Sequence, residues 1–327
     1  MNTQNLFDYC SKDITTIDKT IFFVGKVIGN SLFTIAINNT DHKIYSYSNE
    51  WLYLLNKFYY PSMTHVYTKI VTYYNNIVQQ KCIDFSYKDC DVIPFITSFS
   101  NGTVHGYAGL FSILTDYINN LETYRNYKII VYKDSQQGLL DIINNFINKN
   151  VIDKERVIYI SSNVQYLFNS IKFIPNRWHV YPHGVNIDFF IANYIINQNE
   201  PLLLENDKIC IIKSSISDNT TYSGIVHDAK IKTFCNKNKL LFLEPTQMSE
   251  IELINKINQS RIFVTSWGTA FFKNYIYISD KCSKIIVLVI GDYINQYNSN
   301  VMQTKFKNAV ITYHIVDENL DLDIDNL

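Results

Sequence analysis

Lys284-Ile285-Ile286-Val287-Leu288-Val289-Ile290 is the stretch on which the fold turns. Its apolar side chains follow one another with no polar alternation, so the strand they form is apolar on both faces. That pattern belongs to the inside of a parallel sheet covered by helices. Upstream, Ser249 and Glu252 form an S-x-x-E capping box, in which the hydroxyl accepts from an orphan amide and the carboxylate returns the bond. The box sets the start of a helix over Ser249–Gln259, followed by a strand over Arg261–Thr265, a glycine turn and a helix-like stretch. Further upstream the order is strand Lys208–Lys213, polar loop Ser214–Ser223, helix Ile225–Lys237 and strand Leu240–Leu243. Strands alternating with helices build a parallel, Rossmann-like sheet.

A similar rhythm runs through the first half. Ile93–Phe99 reads as a strand, Gly106–Asn120 as a helix, Tyr127–Tyr132 as a strand, Ser135–Asn148 as a helix and Arg156–Ser161 as a strand. The runs before it, Thr20–Ile28, Leu32–Ile37 and His65–Tyr74, suggest strands and hairpins. Pro175, Pro182, Gly184, Pro201 and the polar run Asn197–Glu200 interrupt the alternation and mark a domain boundary. The expectation is an α/β protein with two Rossmann-like domains, 1–185 with a strand-rich N-terminal extension and 186–327, facing each other across a cleft. Open α/β sheets bind ligands at the carboxyl ends of their strands, so the cleft is where function is sought. The acidic tail Asp317–Asp325 reads as a solvated or frayed terminus.

Composition narrows the function classes. With 327 residues, the chain exceeds the usual size of one core. It is 47% hydrophobic and 18% charged, which suits packed cores and not a disordered chain. A net charge of -1 offers no broad attraction for nucleic acid or an anionic membrane. The start, Met1–Asp18, has no basic-then-apolar pattern, and no stretch reaches the roughly 18 apolar residues of a membrane span. The expected location is cytoplasmic. Six scattered cysteines without a C-x-x-C pair indicate neither zinc nor a disulfide framework.

Candidate chemistry gathers at a few points. Thr265-Ser266-Trp267-Gly268-Thr269-Ala270 carries a strand into a helix through a glycine turn. Backbone amides left open there suit a phosphate group, and an ordinary tight turn explains the same residues. Trp267 is either a stacking platform for a base or sugar or a core residue. In the first half, Ser100 to Tyr107 links strand to helix and contains His105. A histidine there can act as general base on a hydroxyl, or can cap local backbone.

Other polar residues have simpler readings. Asp116 is a helix-surface carboxylate or projects toward the side of His105. His179 and His183 have metal-like spacing but no carboxylate or cysteine cluster completes a site, so no metal is expected. Asp89-Cys90-Asp91 is a D-x-D triplet of the kind that holds a divalent cation, although it precedes its strand instead of following it.

The wider order of elements resembles glycosyltransferase family 61. Members of that family have a strand ending in a basic residue, then helix, strand, a segment like "ls..EQ", an apolar strand and "HGA.ltN". Lys208–Lys213 corresponds to the first strand, Met248-Ser249 with Glu252 to "ls..E", Trp267-Gly268-Thr269 to "HGA", and Asn274 lies near the family's asparagine. The likeness spans residues 90 to 292. It implies two facing Rossmann-like domains and a metal-independent, inverting transferase without a cofactor. The implied donor is a UDP- or GDP-linked sugar, and the implied acceptor is a glycan or protein hydroxyl. The donor-binding residues it implies are Lys213, Ser214, Glu252, Ser266, Trp267, Gly268 and Thr269. His105, matching the family's histidine after the first βα strand, becomes the catalytic base. His227-Asp228 falls on a further family element and is either a nucleotide contact or the start of a helix.

The chain departs from the family where Lys213 stands for an arginine, Ser223 near a second arginine and Trp267 for the histidine. Lysine supplies charge without arginine's bidentate fork. These departures motivate an alternative, a catalytically degenerate transferase-like binding or scaffold protein. A third reading is an enzyme that modifies sugar nucleotides. No G-x-G-x-x-G or P-loop points to NAD or ATP.

Overall fold

The computed structural model describes residues 8–9, 15–26, 32–40, 44–46, 72, 82–96, 104–174, 207–215, 226–279, 281–290, 309–317 and 319–326. Packing divides the chain into Met1–Tyr181 and Pro182–Leu327. This division and the expected boundary at 185/186 both lie outside the described residues, as do His179, His183 and Ser223. Helices and sheets occur in both units, so the protein is mixed α/β. Among the described residues, no helix is long and apolar enough to cross a membrane.

In the first unit the strands are β1 (Asp8–Tyr9), β2 (Thr15–Lys26), β3 (Leu32–Asn38), β4 (Ile44–Ser46), β5 (Ile83–Asp84), β6 (Asp91–Pro94), β7 (Lys128–Tyr132), β8 (Val157–Ile160) and β9 (Gln165–Phe173). Their order is β1-β4-β3-β2-β9-β6-β7-β8, with β5 also on β9. Between β6 and β7 come α1 (Val104–Asn119) and α2 (Leu121–Tyr124); α3 (Gln137–Asn148) leads to β8. Strands β6, β7 and β8 run parallel with β9, whereas β2 lies antiparallel to both β9 and β3. The early strands therefore continue the same sheet as the βα repeats.

Strand β9 joins the two halves, and its own sequence conceals it. Its buried Tyr166, Phe168, Ile171 and Phe173 are interrupted by Asn169-Ser170 and Lys172. Asn169 and Ser170 bond across to the neighbouring strand. Asp91 Oδ1 accepts from Asn169 Nδ2 at 2.7 Å and from Ser170 Oγ at 2.6 Å, binding β6 to β9. Pro94 is tolerated in β6 because pairing with β9 covers only Asp91 and Val92, so its missing N–H leaves no gap there. Helix α1 buries Leu110, Phe111, Ile113, Leu114, Tyr117 and Ile118, the helical spacing of one apolar face.

The second unit contains β10 (Lys208–Ile211), β11 (Ser214–Ser215), β12 (Val226–His227), α4 (Asp228–Lys237), β13 (Leu241–Phe242), α5 (Glu250–Gln259), β14 (Ile262–Ser266), α6 (Thr269–Asn274), β15 (Lys284–Ile290) and β16 (Val310–Val316). The main sheet has the order β13-β10-β14-β15-β16 and is parallel throughout. From β10 the chain moves outward to β13, then crosses back to β14 and continues to β15 and β16. The strand order thus reverses between β10 and β14, which is the topological switch point of a doubly wound sheet.

Alternation along these strands supplies two apolar layers. Cys210, Val264, Ile286, Leu288 and Ile290 pack with Ile231, Phe234 and Cys235 of α4. Phe263, Ile285, Val287 and Val289 have the opposite parity and are also fully buried. Side chains of this kind contribute about 1.5–3 kcal/mol each on burial. Burial and the neighbouring Cys235 raise the Cys210 thiol well above its usual range, and burial pushes Cys282 up to about 11. Such thiols are poor nucleophiles.

The acidic tail is not the frayed terminus its composition suggests. Leu320 and Ile324 are 2% and 3% exposed and belong to the α4-side core. Asn238, at the end of α4, donates from Nδ2 to the Leu322 carbonyl at 3.1 Å, and its Oδ1 accepts from the Ile324 amide at 2.9 Å. Asp321 pairs with Lys237 and Asp325 with Lys208. Leu320, Leu322 and Ile324, between the aspartates, provide the anchorage that a count of charge overlooks.

Candidate functional site

The carboxyl ends of β10 and β14 adjoin at the switch point. Lys213 follows β10 by two residues, and its side chain is exposed. Its backbone is fixed on both sides: its amide donates to Ser266 Oγ at 3.3 Å, and its carbonyl accepts from the Val226 amide at 3.1 Å. Ser266 closes β14 and is 1% exposed, so its hydroxyl is used to tie the two strand ends together. The next amide, that of Trp267, donates to the Leu288 carbonyl at 2.8 Å and extends the β14–β15 ladder by one bond.

Gly268 then turns the chain. Its φ of 103° and ψ of -145° lie in a region that side-chain-bearing residues avoid. Thr269 opens α6, which is only six residues long, so a summed helix dipole is small here. What the turn offers is local: backbone amides next to a glycine that lacks a Cβ, on the same sheet end as the Lys213 ammonium. This combination favours an anionic group.

Trp267 takes the core role. It is 8% exposed, stacks on Phe271 with ring centroids 5.9 Å apart and meets Tyr313 of β16 edge-on at 5.9 Å. Burial pushes the Tyr313 hydroxyl up to about 12, so it stays protonated at neutral pH. Glu252 is also engaged locally. Its amide donates to Ser249 Oγ at 3.2 Å as the N-cap bond, and its carboxylate pairs with Lys256 at 3.1 Å. No described contact connects Glu252 with Lys213 or Ser266. Ser214 pairs as backbone with Val226 in the small β11–β12 sheet. The side chains of Ser214 and Thr269 lie outside the described residues.

The backbone of His105 lies in the first turn of α1, after β6, while its side chain and residues 97–103 are outside the described set. Asp116 accepts from the Tyr124 hydroxyl at 2.7 Å, which anchors α2 to α1. His227 is the N-cap of α4, its Nδ1 accepting from the Ala229 amide at 3.4 Å, and Asp228 pairs with Lys232 one turn on. Asp91 is committed to β9. Among the described residues, no group of three His, Cys, Asp or Glu side chains is arranged to hold a metal.

Three residues beside the turn carry no signal that single-sequence reading detects. Glu250 is buried in the first turn of α5, where it accepts from Lys273 Nζ of α6 at 2.8 Å and from the Tyr277 hydroxyl at 2.8 Å. An acidic residue after an N-cap is ordinarily explained by the helix dipole. Its partners stand 23 and 27 residues away, beyond any helical or strand periodicity.

No family model matches this chain, and no curated protein matches it in sequence.

Proposed function

We propose that this chain is a metal-independent glycosyltransferase whose second unit binds the diphosphate of a UDP- or GDP-linked sugar. The observation that carries the reading is the meeting of Lys213, Ser266 and Gly268 at the switch point of a doubly wound parallel sheet, where such sheets take their ligands. Here the Lys213 ammonium faces the diphosphate, the Ser266 hydroxyl fixes the position of Lys213, and the amides after Gly268 donate to the remaining phosphate oxygens. The family likeness of Lys208 to Asn274 favours the same assignment.

Two Rossmann-like domains facing across a cleft, with the acceptor on the first, belong to this proposal. His105 removes the proton from an acceptor hydroxyl as its oxygen attacks the anomeric carbon. The bond from that carbon to the diphosphate oxygen breaks, and configuration inverts. Lys213 and the turn amides stabilise the negative charge that develops on the leaving diphosphate.

Calorimetric titration with UDP- and GDP-sugars tests the reading. One nucleotide binds, and Lys213→Ala weakens it by about tenfold, the size of one charge-assisted hydrogen bond. Absence of any binding at millimolar nucleotide refutes the proposal. A second reading, a transferase-like binding protein without catalysis, is favoured by the packing of Trp267 between Phe271 and Tyr313. Sugar transfer that is lost in His105→Ala excludes that second reading.

A further inference from the structure

We infer that Glu250 is a positioning residue for the anion-binding turn, acting through Lys273 and Tyr277. The inference rests on the assignment of the Ser266–Thr269 turn as the diphosphate site. Helix α6, which the turn opens, has six residues and cannot hold its own geometry, because so short a helix does not repay its nucleation. Its far end is held from outside. Lys273, in the last turn, donates to Glu250 Oε2, and Tyr277, in the single 3₁₀ turn that follows, donates to Glu250 Oε1. Each carboxylate oxygen therefore fixes a different point on the segment leaving the turn.

The burial of this cluster sets it apart. Glu250 is the only charged residue in the described core, and the Glu250 and Lys273 side chains are 6% and 18% exposed. In the other ion pairs among the described residues, such as Lys237–Asp321 and Lys208–Asp325, at least one partner is open to solvent. Removing a carboxylate from water is costly, and apolar residues of similar shape stabilise such a location at least as well. What a two-pronged carboxylate provides that apolar packing does not is a fixed distance and direction. The start of the segment is fixed by the ladder bond from Trp267 to Leu288 and the bond from Lys213 to Ser266. With Glu250 fixing the other end, the Gly268 turn is held between two anchors.

The experiment compares wild type, Lys273→Arg and the double variant Glu250→Gln/Lys273→Met. The double variant removes both charges together, so that neither remains buried alone, and the glutamine oxygen still accepts from Tyr277. UDP and GDP are titrated by calorimetry, while hydrogen exchange is followed in peptides covering residues 267–278 and in peptides from β14 and β15. In the double variant, nucleotide affinity falls about tenfold and the 267–278 peptides exchange about tenfold faster, with β14 and β15 unchanged. Lys273→Arg keeps both properties near wild type.

Wild-type exchange across 267–278 in the double variant overturns the inference, whether or not nucleotide binds. Faster exchange with unchanged nucleotide affinity overturns it too, because the pair then serves packing alone. If wild type binds neither nucleotide, the site assignment fails, and the exchange result still decides whether Glu250 holds the turn.

Discussion

In the second unit every neighbouring pair of the main sheet is parallel, and Ile285 to Val289 of β15 are fully buried. In the first unit the sheet changes at β9 from parallel neighbours to antiparallel ones, and its edge strand β8 leaves Tyr159 49% exposed. The parallel sheet needs a crossover between successive strands, so its helices and apolar runs alternate along the chain. The mixed sheet pairs β2 with β9 across more than a hundred intervening residues, and nothing local records that pairing. One sheet is therefore written into its sequence while the other is half concealed.

The comparison breaks most sharply at a single strand position. Val287→Asp places an unpaired charge in the middle of β15 and costs more than about 4 kcal/mol, abolishing the folding transition of the second unit in urea. Tyr159→Asp on β8 costs about 1 kcal/mol or less, because the side chain already faces water on an edge strand. Equal effects of the two substitutions would remove the distinction between the sheets.

The next effect is at Asn238. Replacement by alanine leaves the Ile324 amide without its acceptor and the Leu322 carbonyl without its donor, which costs about 2–3 kcal/mol in urea unfolding of the second unit. In the first unit, Tyr124→Phe removes the bond to Asp116 and costs about 1 kcal/mol by the same measurement. The larger value for Asn238 follows from the backbone groups of Phe234, Leu322 and Ile324 that it satisfies at once.

The smallest effect is on the charged fringe of the tail. Hydrogen bonds from Lys237 and Lys208 hold the Asp321 and Asp325 carboxyls below the ordinary value of 3.8. A depressed folded value means that their contribution is present above pH 3.8 and fades as pH falls through the lowered values. Hydrogen exchange of the 319–326 peptide is accordingly flat from pH 7 to 5, after correction for intrinsic rates, and its protection declines below pH 4. The decline is shallow, since Leu320 and Ile324 remain buried and these pairs face solvent.

Legibility of the site follows the same division. Lys213, Ser266 and Gly268 stand out because strand ends, a glycine turn and a basic residue each have local signatures, and the structure brings Lys213 and Ser266 into contact. The choice between a stacking and a core role for Trp267 depends on Phe271 four residues on and on Tyr313 forty-six residues away, and only the second contact lies outside helical reach. Glu252 stands at the sequence position favoured by the capping pattern, yet its carboxylate turns to Lys256. Its neighbour Glu250 is the buried one, because on a helix a shift of two residues rotates a side chain by more than half a turn.

By itself, the sequence determined the α/β class, the Ser249 helix start, the double-sided burial of Lys284–Ile290 and the glycine turn at Gly268, all of which follow from spacing within a few residues. Tertiary structure alone decided that β9 sits between β2 and β6, that the acidic tail docks on α4, and that Glu250 joins α5 to α6. Those features depend on groups far apart in the chain, whose partners are chosen by burial and hydrogen bonding after the chain has folded back on itself.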